Sequence, residues 1–301
     1  MSKTTVYTFV IVCLFSGALA QEYDYTDQAN WGGACQDGMY QSPIDINSQK
    51  VRMCPDWGYS KITVECEEFM ENFSGDSAEM EEIGNIYLFY YHELENWYEA
   101  YRATSMKWYT TSEHNINGAG YDAELEIFLE SVTWMDIPAH ARGTHADHDL
   151  SSIDNDAEVD GVIGTSIRFL FMIDDSEGVQ DFYDGVRIEG ESKYWNFNNM
   201  FGCAFDDYFY AYKGSKTVPT EGAECEEIVW NNVFRKPFPI KTATLDMIRS
   251  HITYDDDTNH RDIQDLGDRE VLLSGRPCME MEEEMWCPNI QIIFKLIFNI
   301  I

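Results

Sequence analysis

Runs of aromatic and β-branched residues constrain this chain more than any other feature. Ile86 to Tyr91, Tyr101 to Tyr109, Glu124 to Leu129, Ser166 to Ile173 and Phe209 to Tyr212 have the length and composition of strands. Helical periodicity is scarce. Thr244 to His251 carries it best, with Val179 to Val186 a second stretch. Turn pairs such as Asn117-Gly118 and Asp160-Gly161 separate the apolar runs. No internal repeat or long low-complexity linker divides the 301 residues. The expectation is one mostly β (α+β) domain with short peripheral helices, long enough to bury a substantial core.

Charge narrows the function. There are 54 acidic side chains against 20 basic ones, a formal net charge of -34. Such a surface repels phosphate backbones and anionic lipid heads, which argues against nucleic-acid or electrostatic membrane binding. The partners left open are an unknown protein, a cationic ligand or calcium. Solubility is the simpler reason for the charge. With 44% hydrophobic and 14% aromatic residues, the chain is too apolar for an acidic disordered tail.

The first twenty residues read as a secretory signal peptide. Lys3 precedes an apolar run from Val6 to Phe15, and Ala18-Leu19-Ala20 forms a small-x-small cleavage pattern. The run is short for a membrane span, so none is expected after cleavage, and a retained anchor is the alternative. Cys13 leaves with this segment. Cys35, Cys54, Cys66, Cys203, Cys225, Cys278 and Cys287 remain, an odd set for which disulfides are the default in an oxidising compartment. No CxxC spacing supports a zinc-thiolate site. Asn72-Phe73-Ser74 is a glycosylation sequon.

The segment from Ser131 to Asp160 reads as a long polar loop. Within it His140, His145 and His148 lie near Asp147 and Asp149. Their spacing suits neither a strand nor one helix face, so solvated loop histidines are expected, with adventitious zinc or copper binding as the alternative. Asn289 to Ile301 is apolar apart from Asn289, Gln291, Lys295 and Asn299. It reads either as a final strand and helix or as a tail of the length used by a lipid-anchor signal.

Four blocks, taken in order, resemble the α-class carbonic anhydrases. Trp31-Gly32-Gly33-Ala34-Cys35 through Gln41-Ser42-Pro43-Ile44-Asp45-Ile46 is similar to the family's opening W-x3-C-x2-G-x2-Q-S-P-I-[DN]-I. Ser112-Glu113-His114-Asn115-Ile116-Asn117-Gly118 with Tyr121 and Glu124 resembles S-E-H-x-[IV]-[ND]-G-x2-[YF]-x2-E. Tyr212-Lys213-Gly214-Ser215-Lys216-Thr217-Val218-Pro219, followed by Cys225 and Trp230, is similar to the third block. Asn259 to Val271 resembles N-x-R-x2-Q-x-L-x2-R-x-V.

The resemblance implies a central, largely antiparallel sheet of about ten strands in a domain spanning 21–277. A leader (1–20) would precede it, and a C-terminal extension with an apolar tail (278–301) would follow. It also implies a Cys35–Cys225 disulfide, leaving Cys54 with Cys66 and Cys278 with Cys287 as short-loop options and Cys203 free. The family's chemistry needs zinc on three imidazoles, in the pattern H-x-H-x2-S-E-H with a third histidine on the neighbouring strand. Lys107, Tyr109 and Glu126 stand at those positions here. Only Glu126 is a ready ligand at neutral pH, so no metal or other cofactor is expected.

Other positions match. Thr217 falls on the threonine that bonds the zinc-bound hydroxide, Glu113 on the glutamate that orients it, and His114 on a structural histidine. By the resemblance Lys216 and Trp230 would line the substrate pocket, and Asn85 would stand at the proton-shuttle position. Lys107 and Glu126, on facing strands, are expected to form an ion pair with the Tyr109 hydroxyl as third partner. The reading is a secreted carbonic anhydrase-like pseudoenzyme acting as a binding or structural module. The alternatives are a zinc-dependent anhydrase with displaced ligands, a weak esterase, or an acidic calcium-binding matrix protein.

Overall fold

The computed structural model describes residues 24–53, 61–66, 69–70, 79–81, 86–92, 97–133, 137, 164–189, 192–196, 200–201, 208–220, 223–227, 229–252 and 259–274. The expected leader, Asn72, Asn85, His140, His145, His148, Cys54, Cys203, Cys278, Cys287 and residues 275–301 lie outside the described residues.

An eleven-stranded sheet forms the frame. Its strands are β1 (Arg52–Met53), β2 (Lys61–Cys66), β3 (Glu79–Glu81), β4 (Ile86–His92), β5 (Trp97–Tyr109), β6 (Ala123–Ser131), β7 (Gly164–Ile173), β8 (Phe209–Gly214), β9 (Val229–Phe234), β10 (Phe238–Ile240) and β11 (Leu272–Ser274). Their spatial order is β1-β11-β8-β9-β7-β6-β5-β4-β2, with β3 added beside β5 and β10 beside β7. Pairing is antiparallel except at β7/β9, β7/β10 and β1/β11. The expected fold class therefore holds, and each strand foreseen from the sequence is present.

The alternation along β6 explains where the site sits. Ala123, Leu125, Ile127 and Leu129 face the main apolar core, as the period of two requires. The intervening Glu124 and Glu126 are buried on the opposite face. β7, next to it, is covered on both faces along Gly164 to Phe171. The core below is strongly aromatic. Phe169 stacks on Phe201 with centroids 4.2 Å apart, and Trp108 packs on Phe171 at 4.9 Å and Phe182 at 5.2 Å. Burial of such rings is the largest favourable contribution a sheet of this kind has.

Helices are short. α1 spans Gly33–Asp37 and α2 spans Thr242–Arg249, two residues earlier than its periodicity predicts. The early start comes from acceptors supplied by another segment: Asp175 accepts from the Thr242 backbone N–H (3.0 Å), and Asp181 from the Lys241 N–H (3.0 Å) and the Thr244 hydroxyl (2.6 Å). The second expected helix is corrected. Over Val179 to Val186 the chain makes only a 3-10 turn, Phe182–Gly185. Asp181 and Asp184 close it as a capping box, so local bonds are satisfied within one turn and propagation brings nothing further. Among the described residues no helix is long and apolar enough to cross a membrane.

Candidate functional site

The polar face of β5, β6 and β7 carries the site. Register places Lys107 opposite Glu126, Tyr109 opposite Glu124, and Glu126 opposite Arg168 on the next strand. Lys107, Tyr109 and Glu126 are all buried. The Tyr109 hydroxyl donates to Glu126 Oε2 at 2.8 Å, as expected, and lies 3.1 Å from Thr217 Oγ1.

The expected Lys107–Glu126 pair is corrected. The cation bound to Glu126 Oε1 is the guanidinium of Arg168. Lys107 Nζ instead donates to the Tyr25 hydroxyl at 3.1 Å and faces Glu79 Oε2 at 3.8 Å. The planar, forked guanidinium satisfies several carboxylates at once, whereas an ammonium is a point charge.

Arg168 is the centre of the cluster. Its Nη1 donates to Glu113 Oε2 (3.0 Å) and Glu124 Oε1 (2.8 Å), and its Nε to Asn231 Oδ1 (3.0 Å) and Ser166 Oγ (3.1 Å). It is 0% exposed, so each of these bonds replaces lost hydration. The sequence reading missed this residue. Its signal was a lone arginine inside the otherwise apolar run Ile167-Arg168-Phe169-Leu170-Phe171, a placement that requires a buried partner.

All four sequence blocks converge here. Arg261 of the last block donates its backbone N–H to Glu113 Oε1 (3.1 Å). Its guanidinium reaches Gln41 Oε1 (2.8 Å) and the Ser42 and Cys35 carbonyls (both 2.7 Å) of the first block. Cys35 is bonded to Cys225, the predicted disulfide, with Cα atoms 5.0 Å apart. Ser215 Oγ accepts from the Ser42 N–H (3.0 Å). Gly214 is needed at this junction because a Cβ would collide with Ser42 Oγ and Asn231 Nδ2. His114, fully buried, bonds Glu124 Oε1 through Nδ1 (2.9 Å) and the Tyr212 hydroxyl through Nε2 (2.6 Å).

Burial sets opposite charge states within this cluster. Desolvation, opposed by Arg168, pushes the Glu113 carboxyl up to about 8. Burial would also raise Glu124, but His114 and Arg168 outweigh it and hold that carboxyl at about 2. Desolvation lowers His114 below its ordinary value, with Glu124 opposing, so the imidazole is neutral at pH 7. Burial, then the charges of Glu113 and Glu126, push the Tyr109 phenol well above its usual value. Burial alone would lower Arg168, but the surrounding carboxylates fix it as a permanent cation.

Of the two expected pocket residues, Lys216 lies beside Phe128 next to the polar network, whereas Trp230 packs against the main apolar core on the other face. Lys216 pairs with Glu226 (3.3 Å) and lies 4.9 Å over the Phe128 ring. Lys213 lies 5.6 Å over the half-buried Trp230.

Solved structures share this fold. Dioscorin complexed with ascorbate aligns with a TM-score of 0.56 at 17% identity, covering 85% of this chain and 99% of that one. The Aspergillus oryzae α-carbonic anhydrase aligns at 0.52 and 19% identity, covering 78% and 86%. The halotolerant carbonic anhydrase of Dunaliella salina gives 0.52 and 18%, covering 86% and 100%. The architecture is thus the α-carbonic anhydrase fold. In sequence, α-carbonic anhydrase 4 of Arabidopsis thaliana is 24% identical over 256 residues, 79% of this chain and 76% of that protein. The eukaryotic-type carbonic anhydrase family pattern matches residues 26–275, and the chain belongs to that family.

The family is normally zinc-dependent, but the donors present do not fit that metal. Glu126 has one oxygen on a guanidinium and the other on a phenol, Lys107 is an ammonium, and Tyr109 holds its proton. Among the described residues no group of three His, Cys, Asp or Glu side chains is placed to hold a metal ion.

Proposed function

We propose that this chain is a secreted, non-catalytic member of the carbonic anhydrase family, a binding or structural module spanning 21–277. The observation that carries the reading is the engagement of both Glu126 oxygens by Arg168 and Tyr109. Glu126 is the one ready ligand among Lys107, Tyr109 and Glu126, and it is committed to protein partners. Thr217 and Glu113 then act as structural groups. Both are buried, Thr217 with its hydroxyl 3.1 Å from that of Tyr109 and Glu113 with Oε2 3.0 Å from Arg168 Nη1, and separating buried polar groups from their partners is costly. The Cys35–Cys225 disulfide supports an oxidising compartment, in keeping with the leader. The net charge of -34 favours basic or cationic partners.

The test is metal analysis of the mature protein purified from an oxidising host, followed by a carbon dioxide hydration assay in added zinc. The expected result is substoichiometric zinc and no hydration above buffer. Stoichiometric zinc with sulfonamide-sensitive hydration would overturn the reading.

A further inference from the structure

In this fold the strands carrying Lys107, Tyr109 and Glu126 lose the cross-strand tie that a metal gives when histidines stand there. Arg168 supplies another. From β7 it binds Glu124 and Glu126 on β6, Asn231 on β9, and Glu113 in the segment following β5. No other described side chain spans as many of these elements. We propose that Arg168 is an internal cation that has replaced the metal as the tie of this face of the sheet, and that its fixed charge excludes a divalent ion from this position. The inference rests on the reading that the wild-type chain has no zinc centre.

Three features support it. The first is position: Arg168 is the register partner of Glu126, so its guanidinium reaches the same carboxylate across one strand pair. The second is burial. Arg168, Glu113 and Glu124 have fully buried side chains, so the protein groups around them offset the desolvation. The third is permanence. A guanidinium stays charged at any pH the fold survives, so it cannot step aside for a metal by losing a proton, as a histidine does. A divalent ion placed against Glu126 would therefore meet a like charge held in low dielectric.

The experiment restores the imidazoles and varies the cation. K107H/Y109H/E126H is compared with the same triple variant carrying R168L, using zinc titration by calorimetry and near-ultraviolet circular dichroism for the fold. The triple variant is expected to bind zinc at least 100-fold more weakly than the R168L form. Equal affinity in the two would overturn the inference and leave the reading of the wild-type chain intact. Zinc bound by the wild-type chain would overturn that reading instead. Should the leucine form fail to fold, R168K in the wild-type chain decides. A lysine keeps the charge but loses the fork, and a clear fall in the denaturation midpoint is expected. An unchanged midpoint would overturn the role of the guanidinium as a tie.

Discussion

The two faces of β7 make unlike demands on the same strand. Ile167, Phe169 and Phe171 enter an aromatic core in which contact is non-directional, whereas Ser166 and Arg168 enter a network in which every bond has a fixed partner. The apolar face can lose a methylene and relax in part. The polar face cannot lose one member without leaving another charged and buried. Local consequences of substitution should therefore differ sharply between neighbouring residues.

The largest expected effect is at Arg168. R168A leaves Glu113, Glu124 and Glu126 without their cation and should cost about 3–5 kcal/mol in guanidinium unfolding, enough to populate the unfolded chain. A cost below that of a conservative core change would dissolve the contrast between the faces.

Glu113 gives the next effect, through pH. Its carboxyl sits at about 8 in the fold against an ordinary 4.5. The stability it contributes is thus complete below pH 4.5 and is lost as pH rises through about 8. One such proton gives a slope of at most about 1.4 kcal/mol per pH unit. E113Q should flatten this decline, so the wild type loses stability relative to the variant from pH 5 to 8. Parallel unfolding curves across that range would mean that Glu113 is ionised and the cluster carries a different charge.

A change on the apolar face sharpens the comparison from the other side. Phe169 packs between Phe201 and Phe234, with centroids 4.2 and 5.0 Å away. F169L keeps most of the volume and should cost about 1.5 kcal/mol or less in the same unfolding experiment. The smallest effect is expected at the partly exposed Lys216–Glu226 pair. K216A should shift stability by under about 1 kcal/mol, diminishing further in high salt.

The strand runs were legible because aromatic and β-branched residues crowd into them, as in Ser166 to Ile173, which forms most of β7. The helix at Thr242–Arg249 was legible in kind and misplaced by two residues, since its start depends on Asp175 and Asp181 from a distant segment. The 3-10 turn at Phe182–Gly185 was misread because an apolar period does not reveal that a capping box has closed a single turn. In the site, Tyr109 bonded to Glu126 was foreseen from the ligand positions that the family resemblance implies. The contact of Lys107 with Tyr25 was not, because Tyr25 lies 82 residues away at the start of a 3-10 helix.

By itself the sequence determined the family and the residue types standing at the ligand positions, since both are written in local motifs that keep their spacing, and the disulfide followed only as what the resemblance implies. Which cation meets Glu126 was decided only by the tertiary structure. Both Lys107 and Arg168 face it across a strand pair, and the choice follows from how far each head group reaches and how many other carboxylates it satisfies there. Those are properties of an assembled sheet, in which a buried charge takes the place where most of its lost hydration is restored.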